Sequence, residues 1–130
     1  MNIGNVAVSL QGKGRKNNED SYFADPNIGL LIVSDGMGGH NAGEVASAMT
    51  VQLISQKIEN AFKEYLQLAE TTLDTPRLNP ELIIKNAIDF ANSKIYETAK
   101  TDKTKKNMGA TVTLAWFVNG AVYIGHVGDS

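Results

Sequence analysis

The chain has 130 residues, of which 42% are apolar, and a formal net charge of −2. This length fits one domain with a hydrophobic core, and neither the charge nor any basic, aromatic-rich block indicates a nucleic-acid surface. The absence of cysteine excludes disulfides and thiolate metal sites. There is no secretory signal pattern and no apolar stretch of membrane-spanning length, so we expect a cytoplasmic protein without nucleic-acid or membrane partners.

The first third of the chain contains three segments with the pattern of β-strands. Residues 6–10 alternate apolar and polar side chains, residues 21–24 form a short second segment, and residues 30–33 are continuously apolar. Polar, glycine- or proline-containing turns separate them. We therefore predict an antiparallel meander, with its third strand buried.

A glycine-rich segment follows the third predicted strand. The strand is predicted to end at Asp35, and glycines occupy positions 36, 38, 39 and 43. A carboxylate beside bare backbone carbonyls suits a hard divalent cation, although a purely structural turn has the same appearance. A dinucleotide-binding turn would need G-x-G-x-x-G, and Asn41 stands where its third glycine should fall.

Two amphipathic helices are predicted next. The first runs from residue 42 to about residue 69, and the second starts at Asn79-Pro80, a capping residue followed by a favourable first helical residue, and fades near Lys100. Their apolar stripes contain Val51, Ile54, Ile58, Ala61, Phe62, Tyr65 and Ala69 in the first helix, and Ile84, Ala87, Ile88, Ala91 and Ile95 in the second. Residues 101–107 read as a charged, solvated loop.

The last segment is predicted to be a β-hairpin. Apolar and polar residues alternate over 112–118, and residues 121–127 form the returning strand. The Asn119-Gly120 pair between them is typical of a type I′ turn, which needs a positive φ at both positions.

Candidate chemistry lies at three places. Arg15 precedes the acidic pair Glu19-Asp20, Asp35 precedes Gly36, and Asp129 lies near the last residue. Any one of these acids alone is typical of a turn, but acids brought to one rim of a sandwich would form a metal cluster. The guanidinium of Arg15 could grip an oxyanion with two hydrogen bonds.

Four motifs appear together in the chain. They are RKNNED at 15–20, VSDGMGGHNAGEVAS at 33–47, GATVTLA at 109–115 and GHVGDS at 125–130. In type and order they resemble the metal-dependent protein serine/threonine phosphatases of the PP2C type (the PPM family), and most of all the bacterial branch. The resemblance implies an α+β fold, the αββα four-layer sandwich of two antiparallel sheets flanked by helices. Because catalytic domains of that family are longer, residues 1–130 would be the N-terminal half of one such domain, with the C-terminal half absent.

The resemblance also implies a metal site. Asp20, Asp35 and the carbonyl of Gly36 would hold two Mg²⁺ or Mn²⁺ ions with Asp35 bridging them, Glu19 would act through metal-bound water, and Asp129 would bind a third ion. The implied activity is hydrolysis of phosphoserine and phosphothreonine in proteins by a water that the two metals activate. The partner would be a phosphorylated protein substrate.

Substrate contacts are implied at two further positions. Arg15 would hold the phosphate. Many family members have a histidine, proposed as a general acid, directly after the Asp-Gly pair, but this chain has Met37 there. His40 is the candidate to replace it, and a structural role in the glycine-rich loop fits His40 equally well.

Two alternatives to a phosphatase remain compatible with the sequence. A non-catalytic module that binds a phosphoprotein or another partner is the main rival, and a dinucleotide-binding unit is a more distant one.

Since the chain stops at Ser130, its metal site should be incomplete and its activity weak or absent. The face formed by Val112, Leu114, Trp116 and Val118, together with Val122 and Ile124, should lack a cover, so we expect a homodimer.

Overall fold

Two helices lie on one face of a β-sheet in the structure, a computed structural model that describes residues 19–39, 41–71, 77–105 and 107–128. The strands are β1 (Asp20–Asp25), β2 (Leu30–Met37), β3 (Gly109–Ala110), β4 (Val112–Val118) and β5 (Ala121–Val127). The helices are α1 (Ala42–Thr71) and α2 (Pro80–Thr101), and a 3₁₀ turn follows at Lys103–Lys105. The strand predicted at residues 6–10 lies outside the described residues.

The described strands form one antiparallel sheet. Their order is β1-β2-β4-β5, and β3 extends the sheet beside the last residues of β2. A dinucleotide-binding unit needs parallel strands joined by a crossover helix. The part of the chain that the structure describes has only antiparallel pairs, so it is not such a unit.

The central strand β2 is longer than its apolar run indicates. The prediction that the strand ends at Asp35 is wrong, because Gly36 pairs with Ala110 and Met37 pairs with Gly109 of β3. The added pairs are invisible in the local sequence, since the partner strand is more than 70 residues away along the chain. Asp35 therefore lies inside a strand that has a neighbour on each side.

The core lies between the sheet and the helices. Trp116 is fully buried at its centre, where its indole Nε1 donates a hydrogen bond to the carbonyl of Ile28 (3.0 Å). The ring of Phe62 from α1 meets the indole edge to face at 5.9 Å. The apolar residues of β4 that we expected to lack a cover (Val112, Leu114, Trp116 and Val118) are all buried under the helices, so that expectation is wrong.

The opposite side of the sheet is the exposed one. Alternation along each strand places Tyr22, Val33, Val122 and Ile124 there, and we call these four residues the open sheet face. Val33 is 45% exposed, Val122 49% and Ile124 66%. For Val122 and Ile124 the expected lack of a cover is confirmed.

The ends of α2 and the turn of the hairpin follow the predicted local chemistry. Asn79 caps α2, with its Oδ1 accepting a hydrogen bond from the amide of Leu82 (3.2 Å), and Pro80 is the first helical residue. Asn119 and Gly120 have φ values of 53° and 76°, as a type I′ turn requires. These local predictions are confirmed.

The last turns of helix α1 extend beyond the buried core. Its apolar stripe is buried through Ile58, but Ala69 in the last turns is exposed. Among the described residues, no helix combines the length and apolar character needed to cross a membrane.

Because the core lies on the helix side of the sheet, the same isoleucine-to-valine substitution should lower stability more on that side than on the open sheet face. Ile54→Val removes one methylene from a fully buried side chain of α1 and should lower the free energy of unfolding by about 0.5–1.5 kcal/mol. Ile124→Val, on the open sheet face, should change it by less than about 0.5 kcal/mol. Urea unfolding followed by circular dichroism measures both. Equal losses would mean that the core is not where the structure places it.

Candidate metal centre on the central strand

Two carboxylates face each other across β1 and β2. Asp20 is the direct cross-strand partner of Asp35, so the two side chains leave the sheet on the same face, away from the helices. Directly opposed residues in antiparallel strands have Cβ atoms about 5 Å apart. The Oδ1 atom of each carboxylate is buried. Because like charges at such positions destabilise a sheet, a cation between them would be favourable.

Two glycines allow helix α1 to start close against β2, on the sheet face opposite to the one from which the two carboxylates project. A Cβ atom on Gly36 would collide with the carbonyl oxygen of Gly43. The backbones of β2 and α1 can therefore approach each other closely here only because neither residue has a side chain. A Cβ on Gly43 would lie 2.8 Å from the carboxyl group of Glu19. The Glu19 carboxylate therefore lies at the first turn of α1, where the helix dipole favours a negative charge.

Backbone hydrogen bonds fix Asp35 from both neighbouring strands. On one side, the amide of Gly36 donates to the carbonyl of Glu19 (3.0 Å). On the other side, the amide of Thr111 donates to the carbonyl of Asp35 (2.8 Å), and the amide of Asp35 donates to Oγ1 of Thr111 (3.3 Å). The fully buried hydroxyl of Ser34 donates to the carbonyl of Thr111 (2.6 Å). We call Ser34 and Thr111 the hydroxyl clamp.

A second pair of hydroxyls joins β1 to α1. The Oγ atoms of Ser21 and Ser47 lie 2.8 Å apart in a hydrogen bond. Ser21 is the neighbour of Asp20, and Ser47 lies on the buried face of α1. The strand that contributes Asp20 is thus attached to the same helix that stands above Gly36.

The predicted site residues separate into two groups. Glu19, Asp20, Asp35 and Gly36 are brought together at the junction of β1, β2 and α1, whereas Arg15, His40 and Asp129 lie outside the described residues. Within the described ranges there is no group of three or more His, Asp or Glu side chains close enough to hold a metal ion. The described part therefore supplies a carboxylate pair, which is smaller than the ligand set that a bound metal ion needs.

Sequence reasoning missed the hydroxyl clamp. Ser34 interrupts an apolar run at a position in phase with the buried residues Leu30 and Ile32. A buried polar side chain needs a hydrogen-bond partner. The alternation of buried positions along β2 thus indicates from the sequence that Ser34 is buried and needs a hydrogen-bond partner. No local pattern could have identified Thr111 as that partner.

The clamp predicts a local effect of Thr111→Val. This nearly isosteric change removes the acceptor of the Asp35 amide and should cost about 1–3 kcal/mol of unfolding free energy. It should also accelerate hydrogen exchange of the Asp35 amide. The measurement is amide exchange by nuclear magnetic resonance.

The matched control is Thr50→Val, at a buried threonine of α1 whose hydroxyl donates to the carbonyl of Ala46 (2.8 Å). It should leave exchange at Asp35 unchanged. Equal exchange rates at Asp35 in the two variants, after correction for global stability, would show that Thr111 does not hold this strand.

Comparison with known proteins agrees with this arrangement. Residues 12–130 match the protein phosphatase 2C family. The serine/threonine phosphatase stp of Listeria monocytogenes is 35% identical over 123 residues, which cover 92% of this chain and 45% of the relative. The serine/threonine protein phosphatase PstP of Mycobacterium tuberculosis is 32% identical over 127 residues, which cover 96% of this chain and 21% of that protein.

Solved structures show the same fold. The crystal structure of the Mycobacterium tuberculosis phosphatase PstP/Ppp matches with a TM-score of 0.73 at 31% identity, covering 95% of this chain and 46% of that chain. The catalytic domain of PstP in complex with two manganese ions matches with a TM-score of 0.74 at 31% identity and the same coverage.

These matches define both the relationship and its extent. The chain spans about half the length of the Listeria phosphatase and of the solved PstP chains that it matches, and about a fifth of full-length PstP. The fold predicted from the motifs is confirmed as the corresponding half of the PP2C sandwich. Since the family match extends over residues 12–130, this chain belongs to the protein phosphatase 2C family.

Proposed function

We propose that this chain supplies the N-terminal half of the active site of a metal-dependent phosphatase that hydrolyses phosphoserine and phosphothreonine in proteins. The observation that carries the proposal is the direct opposition of Asp20 and Asp35 across two paired strands. It is supported by the phosphatases to which the chain is similar and by the two manganese ions in the structure of the PstP catalytic domain.

The donor set fits a hard divalent cation. Asp20, Asp35 and the carbonyl of Gly36 offer only oxygen atoms, which Mg²⁺ and Mn²⁺ prefer, and the buried Oδ1 atoms point to a site shielded from bulk water. We assign two ions to these residues and a third to Asp129. Divalent cations bound there would lower the pKa of water and offset negative charge on a phosphoryl group.

The residues of the chain have separate tasks in this proposal. Glu19, at the first turn of α1, would accept a hydrogen bond from the attacking water and orient it. The hydroxyl clamp would keep the Asp35 backbone in place. Arg15 would bind the substrate phosphate through two parallel hydrogen bonds, and His40 would contact the substrate. The chemistry needs no nucleophilic side chain, in line with a sequence that has no cysteine.

The carboxylate pair is too small to complete a site for two ions. Each octahedral cation needs six oxygen ligands, and only part of them can be water. The other protein ligands would come from the half of the domain that the relatives have and this chain does not match. The proposal therefore predicts little turnover by residues 1–130 alone.

A chimera tests the proposal. Residues 1–130 are joined to the segment of the Listeria phosphatase that follows its matched region, and Mn²⁺-dependent hydrolysis of p-nitrophenyl phosphate and of a phosphothreonine peptide is measured. We expect turnover by the chimera and little by the isolated chain. Asp35→Asn should reduce turnover by the chimera at least about 100-fold, since it removes a metal ligand and even outer-shell changes cost 10- to 100-fold.

The control is Asp89→Asn, which removes an exposed carboxylate paired with Lys85 (3.4 Å) on α2 and should leave turnover unchanged. A folded chimera that binds Mn²⁺ but hydrolyses neither compound would contradict the phosphatase proposal and favour a non-catalytic module that binds phosphoproteins. Turnover by the isolated chain that Asp35→Asn abolishes would contradict the proposed division of the site.

We further propose that a second copy of the chain covers the open sheet face when residues 1–130 are studied alone. Apolar area of this kind favours self-association. Light scattering over a dilution series should show a dimer that dissociates on dilution, and Ile124→Glu should shift it towards the monomer. Leu82→Glu, at an exposed position of α2, is the matched control. A monomer at every concentration would exclude this assembly.

A further inference from the structure

A groove separates the last turns of α2 from β3. Its volume is about 550 Å³, within the range that is typical of ligand-binding pockets. Ile95, Met108 and Ala110 make its floor apolar, and both Ile95 and Met108 are buried. Lys100, Lys103 and the exposed ring of Tyr96 stand at its rim. The groove thus combines an apolar floor with a polar, positively charged edge.

The acidic residues of the segment that carries this edge do not neutralise its positive charge. Residues 85–105 contain five lysines and three acids. Each acid already has a lysine: Asp89 pairs with Lys85 (3.4 Å), Glu97 with Lys94 (3.8 Å) and Asp102 with Lys105 (2.9 Å). The two lysines that remain, Lys100 and Lys103, have no ion-pair partner within the described residues, and both line the groove.

Asp102 is the acid nearest to these two lysines in sequence, and it is engaged elsewhere. Its carboxylate accepts hydrogen bonds from the hydroxyl (2.6 Å) and amide (3.0 Å) of Thr104 and from Nζ of Lys105. The Thr104 hydroxyl first, and Lys105 next, lower the pKa of Asp102 to about 2. The described residues that line the groove include no acid. An anionic ligand would therefore meet two lysines without a competing carboxylate.

The groove adjoins the strand that carries the proposed metal ligands. Its wall includes Gly109 and Ala110 of β3, which pair with Met37 and Gly36 of β2. Asp35 is the next residue of β2. The groove lies on the helix side of the sheet and the two carboxylates project from the other side, so a peptide that runs from the groove past the end of β2 would reach the carboxylate pair around this end of the sheet.

We propose that this groove docks the part of a phosphoprotein substrate that flanks the phosphoserine or phosphothreonine, and that it selects segments with an apolar side chain next to acidic residues. The apolar side chain would rest on Ile95 and Met108, and the acids would pair with Lys100 and Lys103. This substrate preference rests on the proposed phosphatase function. The docking surface itself does not depend on metal binding.

Peptide binding to the 130-residue chain tests the inference without metal or turnover. Fluorescence anisotropy is measured with a fluorescein-labelled peptide that has one leucine followed by glutamates, and with a second peptide in which lysines replace the glutamates. We expect binding of the acidic peptide only. The double variant Lys100→Glu/Lys103→Glu should weaken it at least about tenfold, which corresponds to about 1.4 kcal/mol. Ala99→Trp, which fills the groove, should weaken it as well.

The matched control is the double variant Lys63→Glu/Lys85→Glu, which changes the net charge equally at exposed positions outside the groove. It should bind the acidic peptide like the unchanged chain. Equal binding of both peptides, or equal loss in the two double variants, would overturn the inference and leave only non-specific charge attraction. Hydrolysis by the chimera is measured separately, so a failure of the docking surface can be distinguished from a failure of the phosphatase proposal.

Discussion

The register of β1 against β2 places two like charges opposite each other. Asp20 and Asp35 face one another on adjacent strands, where like charges repel, and hydrogen bonds around them keep both strands in place. Hydrogen bonds from the Gly36 amide to the carbonyl of Glu19, and from the Thr111 amide to the carbonyl of Asp35, fix both sides of the strand that contains Asp35. A serine pair attaches the other strand to α1. These contacts fix the backbone of both strands that contribute the two carboxylates.

Much of this could be predicted from local sequence. The described strands other than β3, both helices, the capping by Asn79 and the turn at Asn119-Gly120 depend on residues close together in the chain, where periodicity and turn chemistry are informative. The pairing of acids with glycines also indicated a cation site. The acids themselves were found because their residue type is suited to the chemistry and their neighbours are small.

Other features depend on contacts between distant segments and could not be predicted in this way. The extension of β2 past Asp35 comes from pairing with β3, and Thr111 contacts Asp35 only because β3 and β4 lie next to β2. Which face of β4 the helices cover also follows from packing, since alternation shows two faces but not which of them is buried. The groove beside α2 arises likewise from the relative placement of a helix and a strand.

The long separation between Ser34 and Thr111 has a consequence for folding kinetics. Their hydrogen bond joins residues 77 positions apart, and both helices lie in the intervening chain. Closing such a loop costs entropy that only later contacts can offset, and contacts of high sequence separation slow folding. The pairing of β2 with β4 should therefore follow formation of the helical hairpin. The Asp35 backbone would acquire its final geometry in one of the last steps of folding.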